Sequence, residues 1–144
     1  MKTILKTIFL TLFIIFQPLA LAENSKAVGN YIVHFNALST QSLPPSVARA
    51  YAITRSKSKG LLNISVLKKG GNFEGVEADV KATATNLTGQ LRNIELRKIT
   101  EQKAVYYIGV FPVRNQETLD FSVRIKTPDG AEGTIKLRQQ FFTN

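Results

Sequence analysis

The residues best suited to bind an anion gather in one connection, Leu43 to Lys68, which reads LPPSVARAYAITRSKSKGLLNISVLK. Arg55, Lys57 and Lys59 are two apart, so in an extended chain their side chains project to one side as a stripe, and Arg49 joins them from a short helix. A stripe of this kind meets an anionic ligand. The bland alternative is a solvated edge whose lysines keep one sheet from pairing with another. Arg49, Arg55, Lys57 and Lys59 are the candidate ligand-binding residues.

Residues fit for catalysis are scarcer. His34 is the single histidine and the chain has no cysteine. A lone histidine is able to act as a general base, yet no cysteine partners it and no serine stands in a nucleophile motif. Glu77 and Asp79 fall on one face of an expected strand, where acids more often solvate a sheet than bind a metal. Paired histidines, calcium-loop spacing and a phosphate-cradling glycine loop are all missing from the sequence. No catalytic set, metal or cofactor is therefore expected, and thiolate zinc sites and thiol redox chemistry are excluded.

The elements that must position these residues begin after a leader. Met1 to Ala22 opens with Lys2 and Lys6, continues through an apolar run from Ile8 to Phe16, and closes on Ala20-Leu21-Ala22. That is the pattern of a cleaved signal peptide. The apolar run is shorter than the roughly 20 residues that span a bilayer, so no transmembrane helix is expected after cleavage. Removing 22 of 144 residues leaves 122, one domain's worth, expected as a single domain over 23–144. It also takes Lys2 and Lys6 from the 19 basic residues, leaving 17 against 10 acidic, a net charge of +7. Outside the cytoplasm, such an excess points to phospholipid head groups, lipopolysaccharide or an acidic protein more readily than to nucleic acid, with plain solubility as the equal alternative.

Alternation of apolar and polar residues with a period of two recurs along this part. It predicts strands over Tyr31–Phe35, Leu61–Lys68, Val76–Ala84, Leu91–Ile99, Ala104–Phe111, Leu119–Lys126 and the segment ending near Phe141. Lys69-Gly70-Gly71-Asn72 reads as a tight hairpin turn, and Pro128-Asp129-Gly130 as another. The alanines of the third strand call for close approach of the opposite sheet or a large aromatic neighbour. The fifth, apolar on both faces, reads as the most buried strand, with Pro112 at its end. Pro44-Pro45 starts a short helix near residues 45–51, where Val47 and Tyr51 share a side that would lie on the sheet. About seven strands without a covering helix indicate an all-β, antiparallel, immunoglobulin-like β-sandwich. A small closed barrel has the same alternation and is the competing architecture.

The motifs GNYIVHFNAL, PPSVARAYAITRSKSKGLLNISVLK, ATATNLTGQ and AVYYIGVFPV resemble those of an uncharacterised family of small exported proteins of Gram-negative bacteria, known as a domain of unknown function. The resemblance covers nearly the whole chain beyond the leader and implies a periplasmic β-sandwich, with no catalytic or binding residues to carry over. The expected role is a periplasmic, non-catalytic binding or accessory module of the cell envelope, with an envelope protein or an anionic envelope surface as partner. The rival is an envelope enzyme acting on a polymer or lipid through His34 and a nearby carboxylate.

Overall fold

The computed structural model describes residues 24–72 and 74–144, so the expected leader lies outside the described residues. The elements are β1 (Ser25–Val28), β2 (Tyr31–Ser39), a single 3-10 turn (Thr40–Ser42), α1 (Pro45–Ala50), β3 (Lys59–Lys68), β4 (Asp79–Asn86), β5 (Leu91–Ile94), β6 (Arg97–Glu101), β7 (Ala104–Pro112), β8 (Thr118–Lys126) and β9 (Glu132–Gln140). They form a five-stranded sheet in the order β1-β2-β3-β7-β6 and a four-stranded sheet in the order β5-β4-β8-β9. All pairings are antiparallel. With β1 set aside, these orders are the A-B-E-D and C′-C-F-G sheets of an immunoglobulin-like sandwich. Two separate sheets, rather than one closed on itself, decide against the barrel.

Nine strands are found among the described residues instead of about seven. One addition is β1, which the short segment before Gly29 concealed. The other comes from the stretch 91–99, which divides at Glu95–Leu96 and crosses from one sheet to the other. A Cβ placed at Gly109 of β7 would lie 2.8 Å from the Glu95 carbonyl oxygen and 3.0 Å from Leu96 Cδ2, so the crossing runs where a side chain would stand. The expected tight hairpin at 69–72 is also different. Of its two glycines only Gly70 has a positive φ, and after the single bridge Leu67–Gly75 the chain leaves for the other sheet.

Val33, Leu62, Ile64 and Val66 of the first sheet pack in one cluster with Ala84, Leu119, Phe121 and Val123 of the second, all at most 1% exposed. Fully burying an aliphatic side chain contributes about 1.5–3 kcal/mol, so this interior is the main source of stability. Ala84 stands directly opposite Phe121 on β8, and Phe121 joins Phe111 and Phe141 in a T-shaped trio with centroids 5.3–6.4 Å apart. The aromatic neighbour demanded by the small alanines is thus supplied. The middle strand of the larger sheet is β3, not β7. The outer face of β7 leaves Val110 42% exposed, because only part of that face is covered. Among the described residues no helix is long and apolar enough to cross a membrane.

Candidate functional site

The cover over β7 is the connection 40–58, folded back on the outer face of the five-stranded sheet. Pro45 at the first helical turn presets α1, and the helix closes in a Schellman arrangement. Ala52 N–H donates to the Arg49 carbonyl at 3.2 Å and Ile53 N–H to the Ala48 carbonyl at 2.8 Å, with Ala52 at φ 53°. This turn brings Ile53 beside Ala48. Together they pack on Leu61 and Ile108 as a second, smaller apolar cluster.

Between cover and sheet lies a cavity of about 230 Å³. Leu43, Val47 and Tyr51 line it from the cover, and Asn63, Tyr106 and Ile108 from the sheet. Its wall is mostly apolar, with Tyr51, Tyr106 and Asn63 as the side chains that carry polar atoms, and Asn63 Oδ1 is buried and has no hydrogen-bond partner. An unsatisfied buried acceptor costs about 1–3 kcal/mol.

The cover is fastened by polar groups. Thr40, fully buried, donates through Oγ1 to the Ser56 carbonyl at 3.0 Å and accepts from the Ser56 amide at 2.9 Å. The Tyr51 hydroxyl donates to Glu101 and the Arg97 guanidinium to the Tyr51 carbonyl, tying the end of α1 to β6. The hydrogen bond to Glu101 raises the Tyr51 phenol above its ordinary pKa.

The four basic residues are all exposed, and none lines the cavity. Arg49 projects from α1. Arg55 donates through Nη2 to the Gln41 carbonyl at 2.8 Å and so helps hold the cover. Lys57 sits in a turn closed by Lys59 N–H on the Ser56 carbonyl at 3.4 Å, and Lys59 starts β3 opposite Pro112. The expected extended stripe is therefore broken, since a turn replaces the alternation between Arg55 and Lys59. His34 stands exposed on β2 with Ser25 and Ser65 as its cross-strand neighbours. It lines neither the cavity nor the two depressions on the other sheet. Glu77 bonds Lys98 at 2.6 Å, while Asp79 lies opposite Lys126. Among the described residues no three His, Asp or Glu side chains converge.

Sequence reasoning missed Asn63 and the cavity as a site. The shared side of Val47 and Tyr51 was the one signal that pointed to it.

Residues 25–144 match the family profile described as Domain of unknown function (DUF4426). Among solved structures the chain is similar to a DUF4426 family protein from Pseudomonas aeruginosa, at 31% identity and a TM-score of 0.70, covering 83% of this chain and 94% of that one. It is also similar to FetP of uropathogenic E. coli, recombinantly expressed in the periplasm of E. coli, at 10% identity and a TM-score of 0.56, covering 82% and 92%. A copper-bound variant of FetP matches at 11% identity and a TM-score of 0.56, covering 81% and 93%. At such identity the likeness to FetP is one of fold alone. No curated protein matches the chain.

Proposed function

The chain belongs to the DUF4426 family, and for it we propose the role of a non-catalytic binding module of the periplasm, with the cavity beneath α1 as the ligand seat. The observation that carries this reading is a mostly apolar cavity with the amide of Asn63 in its wall, where Oδ1 lies beneath the surface without a partner and a turn of the amide would present it to a ligand. A seat so built favours an apolar group carrying one N–H or O–H donor. An engineered cavity of about 150 Å³ holds benzene, so about 230 Å³ suits a larger ring. Trp and Tyr side chains combine a ring with a donor, and both are common anchors at interfaces. An envelope protein presenting such a side chain is the partner we favour. The periplasmic address is supported by the leader pattern and by the likeness in fold to FetP, which was expressed there. The non-catalytic reading is supported by the isolation of His34 on its strand face.

Titration with N-acetyltryptophanamide followed by amide NMR tests the seat. Shifts are expected to centre on Asn63, Tyr106 and Ile108, and to vanish in Asn63→Leu, which fills the space and removes the acceptor while the fold is retained. Absence of shifts, or equal shifts in the variant, would overturn the reading.

A further inference from the structure

Register across β5, β4, β8 and β9 arranges the outer face of the four-stranded sheet in rows, and charge is distributed unevenly among them. In one flanking row Lys126 stands between Asp79 and Glu132, with Lys126–Glu132 at 3.8 Å. In the other, Arg138 holds Asp120 by two hydrogen bonds of 2.6 and 2.8 Å. The rows between contain Lys81, Arg124 and Lys136, all exposed, and none of them belongs to an ion pair among the described residues. Lys81 and Arg124 are direct cross-strand partners. Like charges directly opposite each other destabilise a sheet. Asp79 and Glu132 of the adjacent row offset part of this cost, and an anion bound between Lys81 and Arg124 would offset the rest.

Around these cations the rows carry hydroxyls. Lys136 Nζ donates to Ser122 Oγ at 3.0 Å, and Thr134 is the other cross-strand neighbour of Arg124. Open depressions of about 410 and 630 Å³ lie on this face, and Lys81 and Arg124 line both, with Asp79, Lys126 and Glu132 sharing the first. At the edge, Leu91 of β5 projects from the same face, 65% exposed, beside Leu87 of the adjoining turn at 68%. A broad, net basic face with an exposed leucine at its edge fits a charged bilayer better than a single small anion. Cations meet lipid phosphates, while apolar side chains enter the boundary between head groups and acyl chains.

We propose that this face docks on an anionic phospholipid surface, with Lys81, Arg124 and Lys136 on lipid phosphates and Leu91 at the acyl boundary. The site lies on the sheet opposite to the cavity and does not depend on it. Cosedimentation with vesicles of phosphatidylethanolamine and phosphatidylglycerol tests it, with phosphatidylcholine vesicles as the neutral reference. Binding is expected to the anionic vesicles alone and to fall as salt is raised. Lys81→Ser and Arg124→Ser are each expected to weaken it by roughly fivefold, Leu91→Ser to weaken it as well, and the triple change Arg49→Ser, Lys57→Ser, Lys59→Ser to leave it unchanged. Unaltered melting curves show that the variants fold. The proposal is overturned if anionic vesicles are not bound, if binding survives loss of Lys81 and Arg124, or if it is lost in the triple variant. It is equally overturned if inorganic phosphate shifts the Lys81 and Arg124 resonances while vesicles do not, which would make this a site for a free anion.

Discussion

Arg92 of β5 bridges the Glu117 carboxylate and the end of the opposite sheet. Nη2 donates to Glu117 Oε1, and Nη1 donates to the Pro112 carbonyl of β7 at 2.8 Å and more weakly to Glu117 Oε2 at 3.5 Å. The Arg114 amide adds a further tie, donating to Glu117 Oε2 at 3.0 Å. Side-chain exposures of 22% and 9% make this the most buried ion pair among the described residues.

Removing the charge from Glu117 therefore exposes a cost that surface pairs do not carry. Glu117→Gln is expected to lower unfolding free energy by about 2 kcal/mol in urea titrations, within the range for hydrogen bonds to charged groups. Burial alone would raise the Glu117 carboxyl, but the Arg114 amide and the Arg92 guanidinium outweigh it and hold the carboxyl below its ordinary value. A group held low in the folded state stabilises fully above its unfolded pKa of about 4.3 and ceases to do so as pH falls through the folded value. Melting temperature should thus drop more steeply on acidification below that point in the native protein than in Glu117→Gln. Parallel acid profiles of the two proteins would rule the linkage out.

Most of the sandwich was legible because alternation reports which face of a strand is buried. Val80, Ala82 and Ala84 did so on β4, as did Leu119 to Ile125 on β8. The sheet switch at Glu95–Leu96 was not legible, since Ile94 and Leu96 keep the same period whether the chain stays in one sheet or crosses to the other. Nor was the cover over β7. Tyr106, Ile108 and Val110 showed that a second face was apolar, but not that α1 and Ile53, instead of a third layer, would shield part of it. The candidate site was hidden for a related reason: Asn63 reads as an outward polar residue until Val47 and Tyr51 are folded over it. Lys81 and Arg124 likewise become neighbours only once the register of β4 and β8 is known.

A second consequence concerns Gly60, where β3 passes the aromatic trio. A Cβ at this position would run into the Phe111 ring and come within 3.1 Å of Phe141 Cε1. Phe111 is locked edge-on against Phe121 and Phe141, so it has nowhere to yield. Gly60→Ala is expected to cost about 1–3 kcal/mol, the usual range for overpacking. In a Phe111→Leu background the same change should cost much less, giving a clear coupling energy in a double-mutant cycle. Additive effects would show that the ring is not the obstacle.

Thr40 offers the sharpest separation of polar from apolar contributions, because its side chain is fully buried and its hydroxyl serves both backbone groups of Ser56. Val has nearly the same shape but neither donates nor accepts. Thr40→Val should leave the Ser56 N–H and C=O without partners and cost about 1–3 kcal/mol, whereas Thr40→Ser keeps both bonds and loses only a methyl. The two variants should also differ locally. Ser56 anchors the segment that carries Ile53 and Arg55 over the sheet, so amide hydrogen exchange at 53–58 is expected to accelerate in Thr40→Val more than at β3 or β8. Exchange that rises equally everywhere would mean that the hydroxyl supports the whole sandwich rather than the cover, and a stabilised Thr40→Val would show that the bonds to Ser56 are not needed at all.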